Sequence, residues 1–134
     1  MLQFITNLKV YDNIMKEPAQ FISNLAGVKS SKFEISFAVP AINLENLARL
    51  FPGKIKAQHV DLNPPGPYTG SIPMEALLTY EINGSLLNHS EKRIQSETIM
   101  AYPIFIGFSL APTTATDLGL TSCSNTHVKR NKYY

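Results

Sequence analysis

The run Gly84-Ser85-Leu86-Leu87-Asn88-His89-Ser90-Glu91-Lys92-Arg93 sets an apolar stretch directly against a charged one. Gly84 to Asn88 is short and nearly all small or apolar, the pattern of a strand buried on both faces. Strands of that kind belong to parallel sheets, because helical crossovers cover those sheets on their faces. A parallel sheet gathers ligands at the carboxyl ends of its strands. Asn88, His89, Ser90 and Glu91 stand at that end, so the run points both to a fold class and to a candidate site.

The same rhythm extends outward from this run. Leu2 to Val10 reads as a first strand, with Phe4, Thr6, Leu8 and Val10 on one face. Glu17-Pro18 opens a helical segment from Ala19 to Leu25, since proline is tolerated in a first helical turn, and Gly27 is its stop. Phe33 to Val39 is a second strand ended by Pro40. Asn43 is positioned to cap a helix through Leu50, and Pro52-Gly53 is a turn. Lys54 to Asp61 is a third strand, Asn63 to Gly70 a rigid turn-rich loop, and Ile72 to Tyr80 a helix with Pro73 at its start. Strands alternating with helical segments predict βαβ units and a parallel sheet. From Met100 to Thr116 the rhythm breaks, because Pro103, Gly107 and Pro112 forbid a continuous helix.

Bulk composition excludes several functions. At 134 residues, one domain is expected. The net charge of +2 lies in the tail, in Lys129, Arg130 and Lys132 against Asp117, while residues 1 to 97 balance nine basic with nine acidic side chains. Three tail charges without interleaved structure do not make a nucleic-acid surface. Cys123 is the only cysteine, which leaves no intramolecular disulfide and fits a reducing cytoplasm. The amino-terminal residues lack a signal-peptide pattern. The longest apolar run, Tyr102 to Leu110, is too short and too broken to span a bilayer as a helix. No nucleic-acid or membrane partner is expected.

The Gly84-to-Arg93 run closely resembles the fourth strand and following turn of triose-phosphate isomerases, especially of the archaeal type. Three further stretches resemble that family in the same order: Asn7-Leu8-Lys9-Val10-Tyr11, Ala57-Gln58-His59-Val60-Asp61 and Pro67-Tyr68-Thr69-Gly70-Ser71-Ile72. The likeness covers residues 1 to 99. Residues 100 to 134 are atypical, with a partial return at Asp117-Leu118-Gly119-Leu120 and Cys123-Ser124-Asn125 that looks like strand five. The resemblance implies an α/β fold of the (β/α) barrel type, here truncated to about the first four to five units of a barrel of typically about 250 residues.

What the resemblance implies for chemistry is interconversion of dihydroxyacetone phosphate and glyceraldehyde 3-phosphate, without cofactor or metal. By the same resemblance His89 is the electrophile that polarises the carbonyl. Lys9 is the cation near the phosphate and the developing enediolate, and Asn7 orients substrate and Lys9. Glu91 pairs with Lys9, and Ser90 supports the site. Tyr68 and Thr69 form a subunit contact, implying a homo-oligomer. His59 with Asp61, and His89 with Glu91, offer metal-ligand types, but at unspecific spacing.

The general base is not found. The resemblance assigns that role to a sixth-strand glutamate, followed by a lid loop and glycine-rich phosphate turns, none of which this sequence contains. After Glu97 its only carboxylate is Asp117. Stand-alone activity is therefore not expected. Two alternatives stay open: a non-catalytic truncated or frame-disturbed product, and a half-barrel binding or assembly module.

Overall fold

Strand order follows chain order. In the computed structural model, which describes residues 2–95 and 109–112, the strands are β1 (Leu2–Asn7), β2 (Phe33–Val39), β3 (Ile55–Ala57), β4 (Gly84–Leu87) and β5 (Ser109–Pro112). They form one sheet ordered β1-β2-β3-β4-β5, and every neighbouring pair is parallel. The helices are α1 (Asp12–Lys16), α2 (Pro18–Ala26), α3 (Leu44–Leu50) and α4 (Met74–Thr79). A doubly wound sheet reverses its order at a switch point. This one never reverses, so each unit adds beside the last in one sense of rotation, as in the opening half of a (β/α) barrel.

The core lies between the sheet and the helices. Phe37 and Val39 of β2 stand in register with Ile55 and Ala57 of β3. These side chains cluster with Ile22 of α2, Leu44 and Leu47 of α3, and Met74 and Leu77 of α4. Phe37, Ile22 and Leu47 are fully buried, each worth roughly 1.5–3 kcal/mol of transfer free energy. Successive strand residues face opposite ways, so Glu34, Ser36, Ala38 and Lys56 occupy the concave face. At its amino-terminal end that face is polar: Lys54 pairs with Glu34 at 3.3 Å, and Lys56 Nζ donates to Asn83 Oδ1.

Several boundaries differ from the sequence expectations. β1 ends at Asn7 rather than Val10, because Lys9 adopts a left-handed φ of 57°, which no strand accommodates. β4 ends at Leu87 because Asn88 turns away at φ 55°. The third strand covers only Ile55–Ala57. Helix α1 was not anticipated. Gly27 does stop α2, but in a right-handed conformation, with φ −72°. Asn43 stands at the amino end of α3 without a side-chain capping bond. A single 3-10 turn over Ala41–Asn43 gives it φ −106° and ψ −5° instead of the extended backbone a cap needs, and its Oδ1 is buried without a partner among the described residues. The fifth strand lies at Ser109–Pro112, inside the stretch where the sequence rhythm breaks. The expected strand at 117–125 lies outside the described residues. Pro112 belongs to β5, an outer strand of the described sheet, where a missing amide donor is tolerated.

Candidate active site

The carboxyl ends of β1, β3 and β4 meet around a cleft of about 280 Å³ lined by Asn7, Lys9, Gln58, His59, His89 and Glu91, among others. Convergence follows from the parallel sheet. Three strands that run the same way deliver their last residues to one rim, and the turns after them bring the side chains inward.

Lys9 is held from three directions. Its backbone N–H donates to Asn7 Oδ1 at 3.0 Å, a side-chain bridge two residues back that makes the left-handed turn tolerable. Its carbonyl accepts from Gln58 Nε2 at 3.1 Å, and the same Gln58 amide donates to Asn7 Oδ1 at 3.1 Å and toward the Ala38 carbonyl at 3.4 Å. Its ammonium is ion-paired with Glu91 Oε1. That hydrogen bond is the main reason the Glu91 carboxyl lies below its ordinary range. Glu91 is 61% exposed, so the pair positions the lysine more than it adds stability.

His89 has its tautomer set by the backbone. The Glu91 N–H donates to His89 Nδ1 at 3.2 Å. An amide N–H can only donate, so Nδ1 must accept and the proton of the neutral ring sits on Nε2. Glu91 Oε2 lies 3.7 Å from the same Nδ1, beyond hydrogen-bond range, and does not reverse that assignment. The fold supports the turn behind this ring: Asn88 Oδ1 accepts from the Ile94 amide at 2.9 Å, and the Lys92 N–H closes onto the His89 carbonyl at 2.8 Å.

The second histidine is turned differently. His59 Nε2 lies 2.9 Å from Asp61 Oδ1. Burial pushes the Asp61 carboxyl upward, but the Ile72 amide, the His59 ring and the Ser71 hydroxyl together hold it below its ordinary value. The Ile72 N–H donates to Asp61 Oδ2 at 2.7 Å, and the Ser71 hydroxyl donates to the same oxygen at 3.2 Å. Asp61 thereby clips the Asn63-to-Gly70 loop back onto the sheet.

Of the residues singled out in the sequence, Asn7, Lys9, His89 and Glu91 line the cleft together. Ser90 is exposed beside it, and Tyr68 and Thr69 lie exposed on the loop. Gln58 was not assigned a role from sequence. An amide in a strand has no distinctive signal, and its task appears only when β1 and β3 are placed side by side. His59 was visible as a strand-end histidine, but nothing in its spacing revealed its bond to Asp61. His59 and Asp61 engage each other, and among the described residues no group of three or more metal-ligand side chains assembles. No helix among the described residues is long and apolar enough to cross a membrane.

Chain-order parallel strands with a polar carboxyl rim place the molecule in the (β/α) barrel class. The family model described as triosephosphate isomerase matches residues 3–102. The chain belongs to that family. It is 38% identical over 102 residues to a triosephosphate isomerase of Thermoplasma volcanium, covering 75% of this chain and 47% of the relative. It is 35% identical over 97 residues to that of Metallosphaera sedula, covering 69% and 42%. It is 33% identical over 120 residues to that of Sulfurisphaera tokodaii, covering 88% and 48%. The chain thus spans about half the length of the curated relatives it matches.

Proposed function

We propose that the rim binds a triose phosphate and polarises its carbonyl, the first half of an aldose–ketose isomerisation. The observation that carries this reading is the His89 tautomer: a neutral ring whose Nε2–H has no partner among the described residues, lining one cleft with the Lys9 ammonium. An imidazole N–H and a fixed cation suit a carbonyl oxygen that gains negative charge as a neighbouring C–H is deprotonated. Asn7 and Gln58 keep Lys9 in place, and Glu91 holds its charge over the cleft.

Deprotonation itself needs a base within about 3 Å of the carbon-bound proton. Glu91 is engaged by Lys9, and the family likeness brings no other carboxylate of this sequence to that role. The chain on its own is therefore proposed to bind and polarise but not to turn over. Base, lid and phosphate loops act as a unit in such a reaction, so their contributions do not add as separate sums. The exposed Tyr68–Thr69 tip is proposed as the contact with a second subunit. Membership of a glycolytic family, together with the lone cysteine, supports a cytoplasmic home.

A coupled isomerase assay on purified chain, beside His89→Ala, tests this, with dihydroxyacetone phosphate binding followed in parallel. Binding that perturbs Lys9 and His89, with turnover at background, is the expected result. Turnover well above background that vanishes in His89→Ala would mean that a base acts here after all. Absence of any binding would remove the proposed ligand.

A further inference from the structure

We propose that His59 is a ligand-contacting residue of this rim, its Nδ1 accepting a hydrogen bond from the hydroxyl on the carbon next to the ligand carbonyl. The inference rests on the reading that a triose phosphate enters the cleft, and it adds selectivity for an α-hydroxycarbonyl over a bare phosphate.

The argument starts at Asp61. An ionised carboxylate can only accept, and Asp61 accepts from the Ile72 amide and the Ser71 hydroxyl as well as facing His59 Nε2 at 2.9 Å. His59 Nε2 must therefore carry the proton, and the lone pair of the neutral ring is on Nδ1. His59 is 8% exposed and lines the same cleft as Lys9 and His89. Among the described residues Nδ1 has no hydrogen-bond partner, and the His59 side chain keeps 10% of its surface exposed. A nearly buried ring, fixed from behind by a carboxylate, thus presents one open acceptor.

The two histidines are complementary. Both rings are protonated on Nε2, but His89 spends its Nδ1 on the Glu91 amide and offers a donor, whereas His59 spends its Nε2–H on Asp61 and offers an acceptor. A hydroxyl beside a carbonyl is the group that needs one of each. The other acceptors are less suited. Asn7 Oδ1 already receives Lys9 N–H and Gln58. Glu91 is tied to Lys9 and largely in water. Gln58 Oε1 is the remaining rival.

Long-range ¹H–¹⁵N spectra of the labelled chain, titrated separately with dihydroxyacetone phosphate and inorganic phosphate, read the Nδ1 atom directly. The free chain should show an unprotonated His59 Nδ1. Dihydroxyacetone phosphate should move it toward its hydrogen-bonded position, and inorganic phosphate should not. His59→Phe should bind dihydroxyacetone phosphate roughly fivefold to tenfold more weakly with phosphate affinity unchanged. If that variant does not fold, the wild-type titration stands as the test. A His59 Nδ1 that stays still while Lys9 and His89 respond would overturn this inference and leave the triose phosphate reading intact. Silence at all three residues would overturn both.

Discussion

Replacing Lys9 by glycine should give a more stable chain than replacing it by alanine, the reverse of the usual order. Lys9 sits at φ 57°, where an L-residue carries a cost of about 1–2 kcal/mol that glycine does not. Glycine loses roughly 0.5–1 kcal/mol through its freer unfolded chain. Both variants lose the pair with Glu91, so that contribution cancels, and both keep the backbone bond to Asn7 Oδ1. The balance favours Lys9→Gly by about 1 kcal/mol. With a urea slope of about 1–3 kcal/mol per molar, the midpoint of Lys9→Gly should lie roughly 0.5 M above that of Lys9→Ala. Asn24, exposed inside helix α2, is the control: there glycine should be worse than alanine by about 1 kcal/mol. A Lys9→Gly midpoint at or below that of Lys9→Ala would refute the idea that the rim stores strain under its lysine.

Three further outcomes follow from other parts of the structure. Because the Asp61 carboxyl is held below its ordinary value of 3.8, its contribution is complete above the unfolded value and fades as pH falls through the folded one. The stability gap between wild type and Asp61→Asn should therefore be wide at about pH 6 and narrow at about pH 2, and urea midpoints that keep one gap at both would contradict it. Asn43→Ala should cost less than about 0.5 kcal/mol, or even stabilise, because no capping bond is lost and a buried orphan carbonyl is removed; a thermal melt showing a loss near 1 kcal/mol would restore the capping role. Leu2 and Phe4 on β1 are 48% and 49% exposed, and β1 is an outer strand of the described sheet, a site for strand pairing between copies. Phe4→Lys should shift the chain toward smaller species on size exclusion, despite the loss of its edge-on contact with Phe33 at 5.6 Å; an unchanged profile would point elsewhere, the Tyr68–Thr69 tip first.

Much of the fold was legible because hydrophobic runs and prolines punctuate it. β2 lies where Phe33 to Val39 and Pro40 put it. The limits appear where backbone angles decide. The sequence carries β1 through Val10, but a single left-handed residue ends the strand early, and lysine gives no warning of one. Helix α1 has five residues and one buried side chain, Ile14, too few for a period to show. Asn43 is the right residue for a cap in the wrong backbone conformation. Within the site, Lys9, His89 and Glu91 were readable as charged or ring groups at strand ends. Gln58 and the His59–Asp61 bond were not, because their meaning comes from neighbours 51 positions apart in one case and from an unremarkable two-residue spacing in the other.

The apolar packing forms a coat rather than a kernel. Phe37, Val39, Ile55 and Ala57 look outward to the helices, while Glu34, Ser36 and Lys56 look inward. Each βα unit therefore brings its own share of dry surface and shares only its flanks with the next. Cutting such a ring lengthwise severs hydrogen-bonded strand edges and wets a largely hydrophilic hollow, but it leaves most of the oily layer whole. The seam between units is therefore the place where such a ring can be opened, duplicated and rejoined with the least disturbance to its apolar layer.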